Sequence, residues 1–317
     1  MTYARIVGTG SYLPERVVTN SELAENLDTS DAWIQQRTGI TQRHIASGAE
    51  DAATMGAMAA MRALDAAGIV RDDIGMIIVA TCTPPQIFPA TACLIQAQLG
   101  ISKHIPAFDV QAACSGFVYI LSIATKFIES GAVKNVLLVG SEVMSRVIDW
   151  QDRSTCVLFG DGAGAVVLSA SATPGVLSTS LYADGNNKDI LYLNNSKMFA
   201  EQSNLMMEGR AVFRLAVKRL SSIASEELKL NNMSIEELDW VVPHQANMRI
   251  IQATVKHLGL SEDKVIVTVD KHANTSGASI PIALDYGVRA GKIKLGNNIL
   301  FEAFGGGLTW ASALVRF

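Results

Sequence analysis

The chain has 317 residues, of which 49% are apolar and 18% charged, with a net charge of −4. That balance excludes a disordered chain and disfavours nucleic-acid binding through global charge, and 25 Gly and 8 Pro without a repeat exclude collagen-like and low-complexity classes. Four scattered cysteines (Cys82, Cys93, Cys114, Cys156) make no disulfide scaffold, and no CxxC or His/Cys cluster has metal-ligand spacing. The opening MTYARIVGTGSYLP lacks the basic-then-apolar order of a signal peptide, and no apolar run approaches the ~20 residues of a membrane span. Reduced thiols, a cytoplasmic setting and no membrane contact are therefore expected.

In chain order, the stretch SELAENLDTSDAWIQQRTGITQRH reads as an early insertion, with Thr29 or Ser30 capping a short helix. DIGMIIVATCT (Asp73 to Thr83) reads as a buried strand before the Pro84-Pro85 loop. A short strand follows Pro106. Cys114 to Ser130 reads as a helix apolar on nearly every side, hence central. KNVLLVGSE (Lys134 to Glu142) and GAGAVVLSA (Gly162 to Ala170) complete the strands of this part. Ser178 to Gln202 is polar and turn-rich and reads as an inserted surface loop.

The C-terminal part repeats the order. LDWVVPHQA parallels the Ile74 strand, VTVDKHANTSGASIPIAL parallels FDVQAACSGFVYIL, NNILFEAFGGG parallels KNVLLVGSE, and LTWASALVRF parallels GAGAVVLSA. Asp109/Asp270 and Ser115-Gly116/Ser276-Gly277 recur at an offset of 161, Lys134/Asn297 at 163. The expectation is two duplicated α/β halves packed face to face, 1–172 and 173–317, with the boundary near Ser169 to Pro174.

Four clusters carry chemistry. Cys114 stands where a strand gives way to the interior helix, a setting that favours its thiolate; small neighbours (Ala112, Ala113, Ser115, Gly116) leave room for substrate. The alternative is a buried structural thiol; Cys82, Cys93 and Cys156 lack this setting and read as core or loop thiols. His244 in PHQAN follows a buried strand, where α/β proteins place reactive groups; a core histidine is the alternative. Asn274 in HANTSGAS comes from the counterpart of the Cys114 turn, or serves as an ordinary turn residue. EAFGGGLTW offers backbone amides to an oxyanion beside the Cys114 amide, or makes a tight turn. Jointly they describe a Cys/His/Asn site for acyl transfer. Arg210, Arg214 and Lys218 recur at i, i+4, i+8, and Arg249 and Lys256 lie seven apart on a second helix. This basic stripe on an acidic protein suits an acidic partner or is a solvated face.

The motifs GTGSYLPE, DTSDAWIQQRTGI, FDVQAACSGF, FGDGAGA, VPHQAN, HANTSGAS and EAFGGGLTWASALVRF, in this order from end to end, resemble the β-ketoacyl-acyl-carrier-protein synthase III family of the thiolase superfamily. The resemblance implies the five-layered αβαβα thiolase-like α/β fold, a homodimer, and no cofactor beyond acyl-CoA as substrate. It implies a Cys114 nucleophile, a His244/Asn274 pair, and an oxyanion site at the amides of Cys114 and Gly306. By the same resemblance Trp33, Arg37 and Arg153 hold CoA, and Phe88 reaches a partner subunit's acyl pocket. Phe304 separates Cys114 from His244 and Asn274, and Arg249, with Arg214 and Lys256, docks malonyl-acyl-carrier protein. The implied activity condenses an acyl-CoA primer, acetyl-CoA foremost, with malonyl-acyl-carrier protein to start type II fatty-acid synthesis. Against it stand a synthase for long or unusual acyl-CoA, a thiol hydrolase, and a non-catalytic acyl-CoA binder. Gln111 and Ala273 (where Gly is usual) depart from the family pattern.

Overall fold

The computed structural model describes residues 1–194 and 204–317. Up to Ser171 the strands are β1 (Tyr3–Tyr12), β2 (Val17–Thr19), β3 (Gln42–His44), β4 (Met76–Ala80), β5 (Ala107–Val110), β6 (Asn135–Val143) and β7 (Asp161–Ser171). The helices there are α1 (Asn20–Ala24), α2 (Asp31–Thr38), α3 (Ala52–Ala67), α4 (Thr91–Gln98) and α5 (Gly116–Glu129). Then follow β8 (Val176–Ala183), β9 (Leu191–Tyr192), β10 (Met206–Met207), α6 (Gly209–Leu230), β11 (Trp240–Pro243) and α7 (Met248–Leu258). The chain ends with α8 (Val269–His272), α9 (Ser279–Arg289), β12 (Asn298–Gly305) and β13 (Thr309–Arg316).

Two sheets share one plan. The first runs β1-β7-β6-β4-β5 and the second β8-β13-β12-β11, each with parallel pairing at one end and antiparallel pairing at the other. The counterpart of β5 is reduced to a single parallel bridge between Val241 and Val265. Period-two alternation sends side chains of each strand to opposite faces. Met76, Ile78 and Ala80 face the interior layer, while Ile77 and Val79 face α3 and α4. In the second sheet Ile299 and Phe301 face the interior, and Leu300 faces α6. The interior layer is α5 and α9, which explains why α5 is apolar on most sides. The order is therefore α3/α4, sheet, α5/α9, sheet, α6/α7, the five layers expected.

Corresponding elements start 163 positions apart: Gly116 and Ser279 open α5 and α9, and Asn135 and Asn298 open β6 and β12. The Ser-Gly match at 161 is thus two residues out of structural register. Ser30 is the residue that caps α2, accepting from the Trp33 amide (3.2 Å). Several elements went unread, among them α3, α4, β1 and β8. β1 hides behind its glycines, which are needed because α3 lies against it: a Cβ on Gly8 would sit 2.3 Å from the Ala63 carbonyl oxygen, and one on Gly10 2.4 Å from that of Ala59. The run 178–202 is not a surface loop throughout. Its first part belongs to β8, paired along β13, with Val176 and Leu181 against the interior layer. Residues 195–202 of that run lie outside the described residues.

Candidate active site

β4, β5, β6, β11 and β12 all end at one edge, and the chain leaves each of them into the site. After β5 the backbone makes a 3-10 turn, Ala113–Ser115, before α5 begins. Cys114 in that turn is 9% exposed. β12 passes so close that a Cβ on Gly305 would lie 2.7 Å from the Cys114 nitrogen. After β11 the His244 amide extends the parallel ladder to the Glu302 carbonyl (2.8 Å). Asn274 is pinned to the other half by its backbone: its amide donates to Leu158 (2.9 Å) and its carbonyl accepts from Gly160 (3.1 Å).

A cavity of about 1060 Å³ joins these pieces, and Cys114, His244, Asn274, Phe304 and Gly306 all stand on its walls. Asn274 Oδ1 accepts from the Ser276 amide (2.8 Å), which leaves the NH₂ end of the carboxamide as a donor to the cavity. His244 Nδ1 lies 2.6 Å from Ser279 Oγ, and that oxygen accepts from the Gln245 amide (3.3 Å). With the Ser279 hydroxyl donating to Nδ1, the imidazole proton sits on Nε2. Burial holds the imidazole neutral, its pKa pushed down to about 3. The pair is thus two neutral hydrogen-bond donors, an arrangement suited to an oxygen that gains negative charge.

Cys114 differs from expectation. Burial pushes its thiol up to about 11, outweighing the Ser276 hydroxyl at 3.5 Å, so the resting group is a thiol and not a thiolate. The reason is that sheet and interior helix exclude water more strongly than one turn's amides favour charge. Cys82, a loop thiol just past β4, lines the cavity, 3.2 Å from Glu142 Oε1 and 3.7 Å from Ser276 Oγ. Its only sequence signal is its place two residues past a buried strand's end. Glu142, Ser276 and Ser279 were likewise not singled out. All four cysteines are free.

Trp33 and Arg37 line the same cavity. Arg153 is not on its wall but lies with its guanidinium 5.3 Å from the Trp33 ring centroid, with Arg37 at 6.0 Å. Arg153 also bonds Asp28 through the backbone carbonyl and the carboxylate (3.2 Å). Phe88 is not on the wall; it is 84% exposed beside Ile87 at 66%. Gln111 is an exposed residue on the cavity wall. Arg210, Arg214 and Lys218 form the solvent face of α6, and Arg249 and Lys256 are exposed on α7. Arg249 lies 5.6 Å over the Phe213 ring, and none of the five cations forms an ion pair among the described residues.

Fold and site together define an acyl-transferring enzyme of the thiolase fold. Residues 108–185 match the family described as 3-oxoacyl-(acyl-carrier-protein) synthase III, and residues 228–317 match its C-terminal family. The β-ketoacyl-(acyl-carrier-protein) synthase III of Salmonella arizonae is 56% identical over 99% of this chain and 100% of its own. That of Thiobacillus denitrificans is 52% identical over the full length of both. The crystal structure of 3-oxoacyl-(acyl-carrier-protein) synthase III from Aquifex aeolicus superposes with a TM-score of 0.95, at 46% identity, over 99% of this chain and 100% of that one. The chain belongs to the β-ketoacyl-acyl-carrier-protein synthase III family, and it is an acyltransferase of the condensing type.

Proposed function

We propose that the chain condenses an acyl-CoA primer, acetyl-CoA foremost, with malonyl-acyl-carrier protein, releasing CoA and CO₂ and starting type II fatty-acid synthesis. The observation that carries the reading is one cavity holding a thiol, a neutral imidazole and a carboxamide, contributed by both halves. Cys114 Sγ attacks the acyl-CoA carbonyl, and CoA leaves. Malonyl-carrier protein then enters and loses CO₂ while Nε2–H of His244 and the NH₂ of Asn274 hydrogen-bond its thioester oxygen. The resulting carbanion attacks the acyl-Cys114 ester, with the amides of Cys114 and Gly306 facing the oxyanion. A donor of this kind is worth about 10²–10³ in rate. Every step is assigned to side chains and amides of the protein, with acyl-CoA as substrate and no cofactor.

Trp33 stacks on adenine while the guanidiniums of Arg37 and Arg153 meet phosphates, a reading supported by both lying within 6.0 Å of the Trp33 ring centroid. Arg249, Arg214 and Lys256 receive the acidic carrier protein, supported by their freedom from ion pairs among the described residues. The exposure of Ile87 and Phe88 supports a homodimer in which this loop enters the partner's acyl pocket. The half boundary at 172/173 falls in the turn between β7 and β8. Among the described residues no helix is long and apolar enough to cross a membrane.

The test is intact-mass spectrometry after incubation with a panel of acyl-CoAs. One acyl mass is expected on the native chain and none on Cys114→Ser, with the fastest primer naming the specificity. An adduct that survives in Cys114→Ser, or free acid released without malonyl-carrier protein, overturns the assignment.

A further inference from the structure

On the cavity wall one hydroxyl serves two thiols. Ser276 Oγ lies 3.5 Å from Cys114 Sγ and 3.7 Å from Cys82 Sγ. Beyond Cys82, Oε1 of Glu142 is 3.2 Å from its sulfur. The side chains of Cys114, Ser276, Cys82 and Glu142 thus form one hydrogen-bonded file from the reacting sulfur to a fully buried carboxyl group.

Glu142 has no cation partner among the described residues and is held by donors instead. The Cys82 amide reaches both its oxygens (3.2 and 3.1 Å), and the Gly277 amide also donates to it. Thr81 and Thr83 approach Oε2 at 3.3 and 2.6 Å. Thr83 Oγ1 already accepts from the Val143 amide (2.9 Å), so its own hydrogen points to the carboxylate. Amides can only donate, so this cage fits the ionised form, while burial pushes the group's pKa up. The result is a carboxylate that takes a proton readily.

Burial pushes the Cys114 thiol up to about 11, so its attack at neutral pH calls for a group that takes the proton. His244 is a poor base, pushed down to about 3 with Nδ1 engaged by Ser279. Among the described residues the hydrogen bond from Cys114 Sγ runs to Ser276, so the thiol proton has a protein path in that direction. The titratable groups gathered here are Cys82 and Glu142 from the first half and His244 from the second. The cations Arg37, Lys188, Arg210 and Arg249 line the wider cavity.

We propose that Ser276, Cys82 and Glu142 form a proton relay that unloads Cys114 as it attacks the acyl thioester and reloads it when it leaves. The Cys114 S–H proton passes to Ser276 Oγ, the Ser276 hydroxyl proton to Cys82 Sγ, and the Cys82 thiol proton to Glu142. The electron pair left on Cys114 Sγ forms the bond to the acyl carbon. The bond from that carbon to CoA sulfur breaks, and CoA leaves as a thiolate that water protonates. In the condensation the carbanion's pair forms the carbon–carbon bond and the acyl–Cys114 bond breaks. The proton stored on Glu142 then returns along the same file to the sulfur. Ser276 touches the reacting atom and is a catalytic residue; Cys82 and Glu142 act through it and are positioning residues. The relay rests on the reading of Cys114 as the acylated nucleophile.

The experiment follows the rate of acyl-mass gain with acetyl-CoA from pH 6 to 9 for the native chain, Ser276→Ala, Cys82→Ala and Cys82→Ser. The native chain and Cys82→Ser, whose hydroxyl passes a proton, are expected to acylate with a shallow pH dependence. Ser276→Ala and Cys82→Ala are expected to be about 10²-fold slower at pH 7. They should recover by about tenfold per pH unit as the thiol ionises unaided. A disturbed fold lowers the rate alike at every pH and is not rescued by Cys82→Ser. Uniform loss, or an unchanged profile in both alanine variants, overturns the relay. Absence of any acyl mass on the native chain at every pH overturns instead the nucleophile assignment beneath it.

Discussion

Ala113–Ser115 in the first half and Ser276–Ala278 in the second are both 3-10 turns that open on a positive-φ residue, Ala113 at 46° and Ser276 at 48°. Each feeds an interior helix, and they stand at equivalent places in their halves. Their equipment is opposite. At the 163-residue spacing Cys114 corresponds to Gly277, and Glu142 corresponds to Gly305. The glycines make room for the functional groups across the interface. A Cβ on Gly277 would lie 3.2 Å from Glu142 Oε1, and one on Gly305 2.7 Å from the Cys114 nitrogen. Duplication thus supplied two like turns at one edge. The chemistry comes from filling one with a thiol and emptying the other around it.

Variants that cross this division break it or sharpen it. The largest effect is expected from His244→Ala and Asn274→Ala, each of which should slow condensation about 10²–10³-fold while leaving acylation of Cys114 in place. Failure of either to gain the acyl mass would mean that the second half also activates the thiol. The glycine pair is next. Gly305→Ala meets backbone and should cost about 1–3 kcal/mol by denaturant melts and slow acylation. Gly277→Ala meets a side-chain oxygen at the looser distance and should cost less. Equal losses would show the two turns to be equally tolerant.

Smaller effects lie further from the thiol. Arg249→Glu should raise the KM for malonyl-carrier protein about tenfold, since a rim charge governs encounter more than chemistry, and leave acyl-CoA use unchanged. Equal loss with both substrates would remove the docking assignment. Least of all, Ala273→Gly should raise stability by about 1 kcal/mol with activity retained. Ala273 holds φ 55° and ψ −160° just before Asn274, a conformation natural to glycine. A fall in melting temperature would show that the strain there is offset by packing.

Much of this protein was legible before folding. Strand–helix alternation, the repeat near 161–163 residues, and a cysteine and a histidine each following a strand all follow from local chemistry; Asn274 follows the short helix α8 instead. Period-two and period-3.6 patterns are imposed by burial on the residues themselves. β1 escaped because its glycines serve α3, a neighbour remote in sequence. β8 escaped because Ser178, Thr179 and Ser180 interrupt its apolar pattern, and pairing with β13 holds it in place.

The sequence by itself thus determined the two halves, their family and the residues that meet at the strand ends. Only the tertiary structure decided the protonation of the site and the company of Cys114. A neutral His244, a thiol pushed up to about 11, and the file through Ser276 and Cys82 to Glu142 depend on how completely water is excluded. They also depend on which atoms come within about 4 Å across two halves. Both are properties of packed volume and distance, which no local pattern encodes.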